Sequence, residues 1–123
     1  MKGKRKFSDM TSLDKARLVA GWLEDKQGEN IVIMNVSAIS SVTDMTLVVS
    51  ARGAKHAQAL ADHVLERCAA EKIEFLRMEG QRTGEWVLLD LNDVLVHVFQ
   101  EELRTFYNIE GMWAEAPRVR MAG

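Results

Sequence analysis

The chain has 123 residues, 47% of them apolar and 28% charged, with a net charge of −2. That size and composition leave room for one domain with one core, and exclude a disordered or globally basic nucleic-acid-coating protein. No apolar run reaches the ~20 residues of a membrane span, and the start has no secretory pattern. The lone Cys68 excludes an internal disulfide and fits a reducing compartment, so the expected location is the cytoplasm.

Residues 1–10 read as a basic N-terminal tail whose tip carries Lys2, Lys4, Arg5 and Lys6. Solvated solubility aids are the plain reading of that tip and of Arg118 and Arg120. A peripheral contact to ribose-phosphate backbone is the sharper one. Thr11 to Gln27 predicts the first helix: Leu13, Ala16, Ala20 and Leu23 form one stripe, Thr11 and Asp14 have capping-box spacing, and Gly28 supplies a stop. Trp22 lies off the stripe, so it packs elsewhere or meets a partner.

Ile31–Val36 and Met45–Ser50 are short β-branched runs and predict strands. A helix follows Gly53, with Ala57, Leu60, Ala61, Val64, Leu65 and Cys68 on its core face. Ile73–Met78 predicts a third strand, and Glu85–Asp90 with Asp93–Phe99 a hairpin. Glu101 to about Trp113 predicts a last helix, its first turn acidic. The strand–helix–strand order from Met45 to Met78 implies a partly parallel sheet. The fold expected is a single α/β domain over residues 11–116, a mixed five-stranded sheet flanked by helices, with residues 117–123 as a C-terminal tail.

The hairpin carries the functional signal. With Leu91-Asn92 as its turn, Asp90 faces Asp93, Leu88 faces Leu95 and Trp86 faces His97. Alternation then puts Val87, Leu89, Val94, Val96 and Val98 on an aliphatic core face. The other face holds Trp86, Leu88, Asp90, Asp93, Leu95, His97 and Phe99, a mixture of aromatic anchors and charges that suits a protein-binding surface. The plainer alternative is a helix covering its apolar members. Aspartates directly opposed cost roughly 0.2–1 kcal/mol, and would receive a partner's Lys or Arg. Tyr107 and Trp113 on the last helix offer a second surface; in the plainer reading Phe106 and one of them complete the core and the other marks a dimer contact.

Catalytic patterns are absent. There is no phosphate-binding glycine loop. His56 and His63 are seven apart, too far for two metal ligands on one helix, and Cys68 falls on a core stripe. No catalytic, metal or cofactor residues are assigned. The remaining enzymatic reading uses Asp44 and Asp90 with a divalent metal.

Four stretches resemble the ribosomal silencing factor, or Iojap-like, family: Ser41–Asp44, Ala59–Val64, Glu79-Gly80 with Glu85–Phe99, and Arg104–Trp113. The resemblance implies a nucleotidyltransferase-like fold without catalysis and a homodimer. It also implies binding of the large ribosomal subunit through ribosomal protein fourteen, which blocks small-subunit joining and lowers translation under starvation. Trp86 and Leu88 are then the apolar anchors, Asp90 and Asp93 meet basic groups, and Leu95 and His97 complete the patch. Two departures stand out. Ser50–His56 keeps a positive charge as Lys55 but lacks the family's hydroxyls, and the turn glycine is Asn92. Lys55, Tyr107 and Trp113 are the secondary surface. The rival implied by the same fold is a degenerate nucleotidyltransferase, although its Gly-Ser motif with paired acids is missing.

Overall fold

The computed structural model describes residues 9–121, so the basic tip lies outside the described residues. Helix α1 (Ser12–Asp25) starts where capping chemistry says it should: Thr11 Oγ1 accepts the Asp14 N–H at 3.1 Å. Strands β1 (Glu29–Asn35) and β2 (Met45–Ala51) follow, then helix α2 (Ala54–Glu71). Strands β3 (Arg77–Glu79), β4 (Trp86–Asp90) and β5 (Val94–Gln100) come next. The chain ends in short helices α3 (Glu101–Tyr107) and α4 (Ile109–Met112) and strand β6 (Arg118–Val119).

The sheet has six strands in the order β3-β4-β5-β2-β1-β6, one more than expected. The addition comes from the stretch expected as a tail, where Arg118 and Val119 pair with Met34 and Ile33. β2 and β5 are parallel and the other neighbours antiparallel. Helix α2 therefore carries the chain across β5 and β4 to the far edge, which the strand–helix–strand order anticipated only in part. The third strand is three residues long rather than six. Residues 73–76 run irregularly, with the Leu76 N–H donating to the Asp90 carbonyl at 2.8 Å.

Helices α1 and α2 cover one sheet face. Ala16, Val19, Ala20, Leu23, Leu60, Ala61 and Val64 pack there against Leu47, Val49, Val87, Leu89, Val96 and Val98. Leu65, expected in this stripe, is 37% exposed: the wheel centres on Ala57, Leu60, Ala61, Val64 and Cys68, which leaves Leu65 on its margin. Trp22 is buried despite lying off the predicted stripe, with the Arg67 guanidinium 5.7 Å from its ring centroid. Burial pushes the Cys68 thiol up to about 11, partly offset by Lys15, so it is held as an unreactive thiol.

The second face is covered more sparsely. Met34, Val36, Val48 and Phe99 pack under Ile109 and Ala116, with Trp86, Leu103 and Trp113 at the margin. The single last helix expected is two helices. Asn108 at φ 49 and ψ 53 caps α3 and starts α4, its Oδ1 accepting the Gly111 N–H at 3.2 Å. Buried Arg104 ties these helices to the sheet. It forms a two-pronged ion pair with Glu110 (2.9 and 3.0 Å) and donates to Ser50 Oγ at 2.8 Å.

Candidate protein-binding surface

The hairpin register differs from the expected one in an instructive way. Trp86 lies opposite Phe99, Leu88 opposite His97 and Asp90 opposite Leu95. The Leu91 N–H donates to the Val94 carbonyl at 2.9 Å, which makes Asn92-Asp93 the turn in place of Leu91-Asn92. The cause is Leu91. As a turn residue it would stand in water, whereas here it is fully buried in the aliphatic core, a difference of roughly 1.5–3 kcal/mol for a leucine. Asn92 takes the positive φ of 80° expected of it, one residue earlier in the turn, and its N–H donates to Asp90 Oδ1 at 2.9 Å. Each residue changes partner by two positions. An even slip preserves the faces, so the split between aliphatic and mixed sides stands.

The opposed aspartates do not survive the slip. Asp93 is a turn residue, free of strand alternation, and its carboxylate pairs with buried Lys15 Nζ at 2.5 Å. Because Lys15 belongs to α1, Asp93 turns toward the helix-covered layer and leaves the mixed face. Asp90 stays on that face but is not bare. Besides capping Asn92, its Oδ2 lies 3.9 Å from Arg77 Nε.

The remaining members form a compact aromatic group. Trp86 is half-buried, stacked on Phe99 at 4.9 Å between ring centroids and tilted against Tyr107 at 4.7 Å. Its indole N–H donates to His97 Nδ1 at 3.2 Å. His97 is 7% exposed, so it supports the patch from behind, contrary to its expected place among the contact residues. Burial without a counter-charge pushes its pKa down to about 4 and keeps the ring neutral. Leu88 and Leu95 are half-buried. A depression of about 270 Å³ opens beside Trp86 and Leu88, with Glu79 and Gly80 completing its wall.

The loop before β4 fixes this arrangement. A Cβ on Gly80 (φ +81) would lie 2.0 Å from the Trp86 carbonyl oxygen, and one on Gly84 (φ +70) 2.6 Å from that of Ala54. Neither position accepts a side chain. Gln58 Nε2 donates to the Gln81 and Arg82 carbonyls at 3.0 and 2.9 Å, tying the loop to α2.

The secondary surface divides. Tyr107, 46% exposed, joins Trp86 directly and belongs to the main patch. Trp113 is half-buried against the second core. Lys55 is exposed on the first turn of α2, in the other layer. Phe106, expected to complete the core, is 76% exposed and meets Tyr107 edge-on at 5.0 Å. The α3 turn that carries Arg104 inward to Ser50 points Phe106 away. Sequence reasoning also missed the Lys15–Asp93 and Arg104–Glu110 pairs. Neither spacing, 78 residues or six, has a local helical signature. Among the described residues no group of three or more His, Cys, Asp and Glu side chains is placed to hold a metal ion.

Residues 9–123 match the family described as ribosomal silencing factor during starvation. A ribosomal silencing factor of Halalkalibacterium halodurans is 38% identical over 115 residues, covering 93% of this chain and 97% of that protein. Its Bacillus subtilis counterpart is 36% identical, covering 82% and 86%. A crystal structure of a Chromobacterium violaceum protein superposes with a TM-score of 0.84 at 29% identity, covering 93% of this chain and 94% of that one. A more distant mouse relative, 19% identical over 78% of this chain and 43% of its own length, is named mitochondrial assembly of ribosomal large subunit protein 1.

Proposed function

We propose that this chain, which belongs to the ribosomal silencing factor family, binds the large ribosomal subunit through ribosomal protein fourteen and thereby keeps the small subunit from joining. Family membership supports ribosome silencing, and with it regulation of translation, as the function. The observation that carries the finer reading is the half-buried Trp86, packed against both Phe99 and Tyr107 on the sparsely covered sheet face.

A rigid aromatic ring with part of its surface in water, with Leu88 next along its strand and the Asp90–Leu95 pair farther along the same face, has the make-up of a binding hot spot. Leu88 and Trp86 meet the apolar part of the partner, and Asp90 faces its basic groups. Asp93 takes no part, because Lys15 already holds it. The name of the mouse relative points to the large subunit as the target. The block is steric and needs no catalysis: a folded domain seated on the joining surface excludes the small subunit. Repression under nutrient limitation, a cytoplasmic location and a peripheral RNA contact by the basic tip belong to the same proposal. So does homodimerisation, for which exposed Phe106 and Met112 offer apolar surface.

Sedimentation with isolated large subunits at two salt concentrations, followed by addition of small subunits, tests it. Co-sedimentation with the large subunit and loss of joined ribosomes is the expected result. Failure to associate at either salt overturns the assigned target.

A further inference from the structure

We infer that His97 is a positioning residue for the docking surface: by accepting the Trp86 indole N–H, it fixes the ring and turns its donor away from the partner. This rests on the proposed role of Trp86 as an anchor and adds what that anchor presents. The indole N–H donates to His97 Nδ1 at 3.2 Å. With that nitrogen as acceptor, the neutral imidazole carries its proton on Nε2. The imidazole lies almost parallel to Phe99 (8° between planes, centroids 6.2 Å apart) and is itself buried. Its orientation is therefore set by the sheet before any partner arrives.

Two consequences follow. First, Trp86 is constrained by three neighbouring rings, His97 at 6.0 Å, Phe99 at 4.9 Å and Tyr107 at 4.7 Å, and by the hydrogen bond to His97. Little side-chain freedom is left to lose on binding, which favours a tight complex. Second, the ring's hydrogen-bonding capacity is used internally, since an indole has one donor and no acceptor. The partner meets a carbon surface, so the complementary site is an apolar pocket with no requirement for an acceptor opposite the ring.

The test combines nitrogen NMR with binding. In the unaltered, ¹⁵N-labelled protein, His97 Nδ1 is expected to show the shift of an unprotonated nitrogen and Nε2 that of a protonated one. The Trp86 indole proton, assigned by loss of its signal in Trp86→Phe, is expected to exchange slowly with water. A proton on Nδ1 overturns the inference without any variant at His97. His97→Phe keeps an aromatic ring but removes the acceptor. It should speed exchange of the indole proton and weaken binding to large subunits about tenfold, the scale of one hydrogen bond. His97→Gln supplies an acceptor oxygen and should recover part of both. Unchanged affinity in a folded His97→Phe whose indole proton has become labile overturns the positioning role. If the unaltered protein does not bind large subunits, the proposed target fails, while the NMR result still decides the geometry.

Discussion

Protonation of His97 should destabilise the fold over a defined pH window. The ring is buried and neutral, with its pKa pushed from 6.5 to about 4. The unfolded chain takes up a proton below about 6.5 and the folded one does so only near 4, so the native state loses ground as pH falls between them. The contribution is fully present above the ordinary histidine value and is lost as pH drops toward 4. At about 1.4 kcal/mol per tenfold change in proton affinity, the total is roughly 3 kcal/mol, with about half gone near pH 5. Urea unfolding of the protein and of His97→Phe from pH 7.5 to 4 isolates this effect, because the carboxylates are common to both and cancel in the difference. The stability difference should move by roughly 3 kcal/mol in favour of the variant across that range. A difference that stays level with pH would refute a buried neutral imidazole.

Trp86→Ala should weaken binding to the large subunit by ~2 kcal/mol or more in a sedimentation or surface-binding assay; a folded variant that binds normally removes Trp86 from the surface. Asp90→Asn keeps an oxygen for the Asn92 N–H and removes only the charge. It should slow association and reduce its salt dependence, and identical association rates would leave Asp90 a turn residue. The Lys15–Asp93 pair should be asymmetric in denaturant unfolding. Asp93→Ala strands a buried ammonium and should cost about 3–5 kcal/mol, whereas Lys15→Met leaves a partly exposed carboxylate in water and should cost less than about 1 kcal/mol. Equal costs would contradict the burial difference between the partners. Hydrogen bonds from Arg104 hold the Glu110 carboxyl below its usual range. Its contribution is therefore present above the ordinary glutamate value and lost as pH falls through the lower, folded one. Glu110→Gln should flatten the acid limb of the stability profile, and an unaltered limb would count against that linkage.

How much of this was legible in the sequence depended on the range of the forces involved. Thr11 capping α1, the positive φ of Asn92 and the aliphatic column Val87, Leu89, Val94, Val96, Val98 are local or periodic, and a single sequence displays them. The register of the hairpin is different. Two turns were available one residue apart, and the choice between them rests on whether Leu91 reaches a core built by α1 and α2, elements remote in the chain. The helix break at Asn108 is local but easily overlooked. Its signal was an Asn followed three residues later by Gly111, whose hydrogen in place of a Cβ leaves room for the Asn108 amide 2.3 Å from where that atom would lie.

The candidate surface was partly legible for a related reason. Face membership depends on parity along the strands, and an error of one turn position changes partners by two and leaves parity intact. Trp86, Leu88, Asp90 and Leu95 therefore stayed together, although every cross-strand pairing predicted for them was wrong. Asp93 was lost because parity has no meaning in a turn, and Lys15 decided its direction. Exposure does not follow from parity either. His97 and Phe99 share a face with Trp86, yet both lie beneath the surface. The neighbour that extends the patch, Tyr107, arrives from α3 and the chain segment after the sheet. Alternation identified the side proposed as the docking face. Which residues touch it, and which hold the others in place, depends on the helices that fold back across that side.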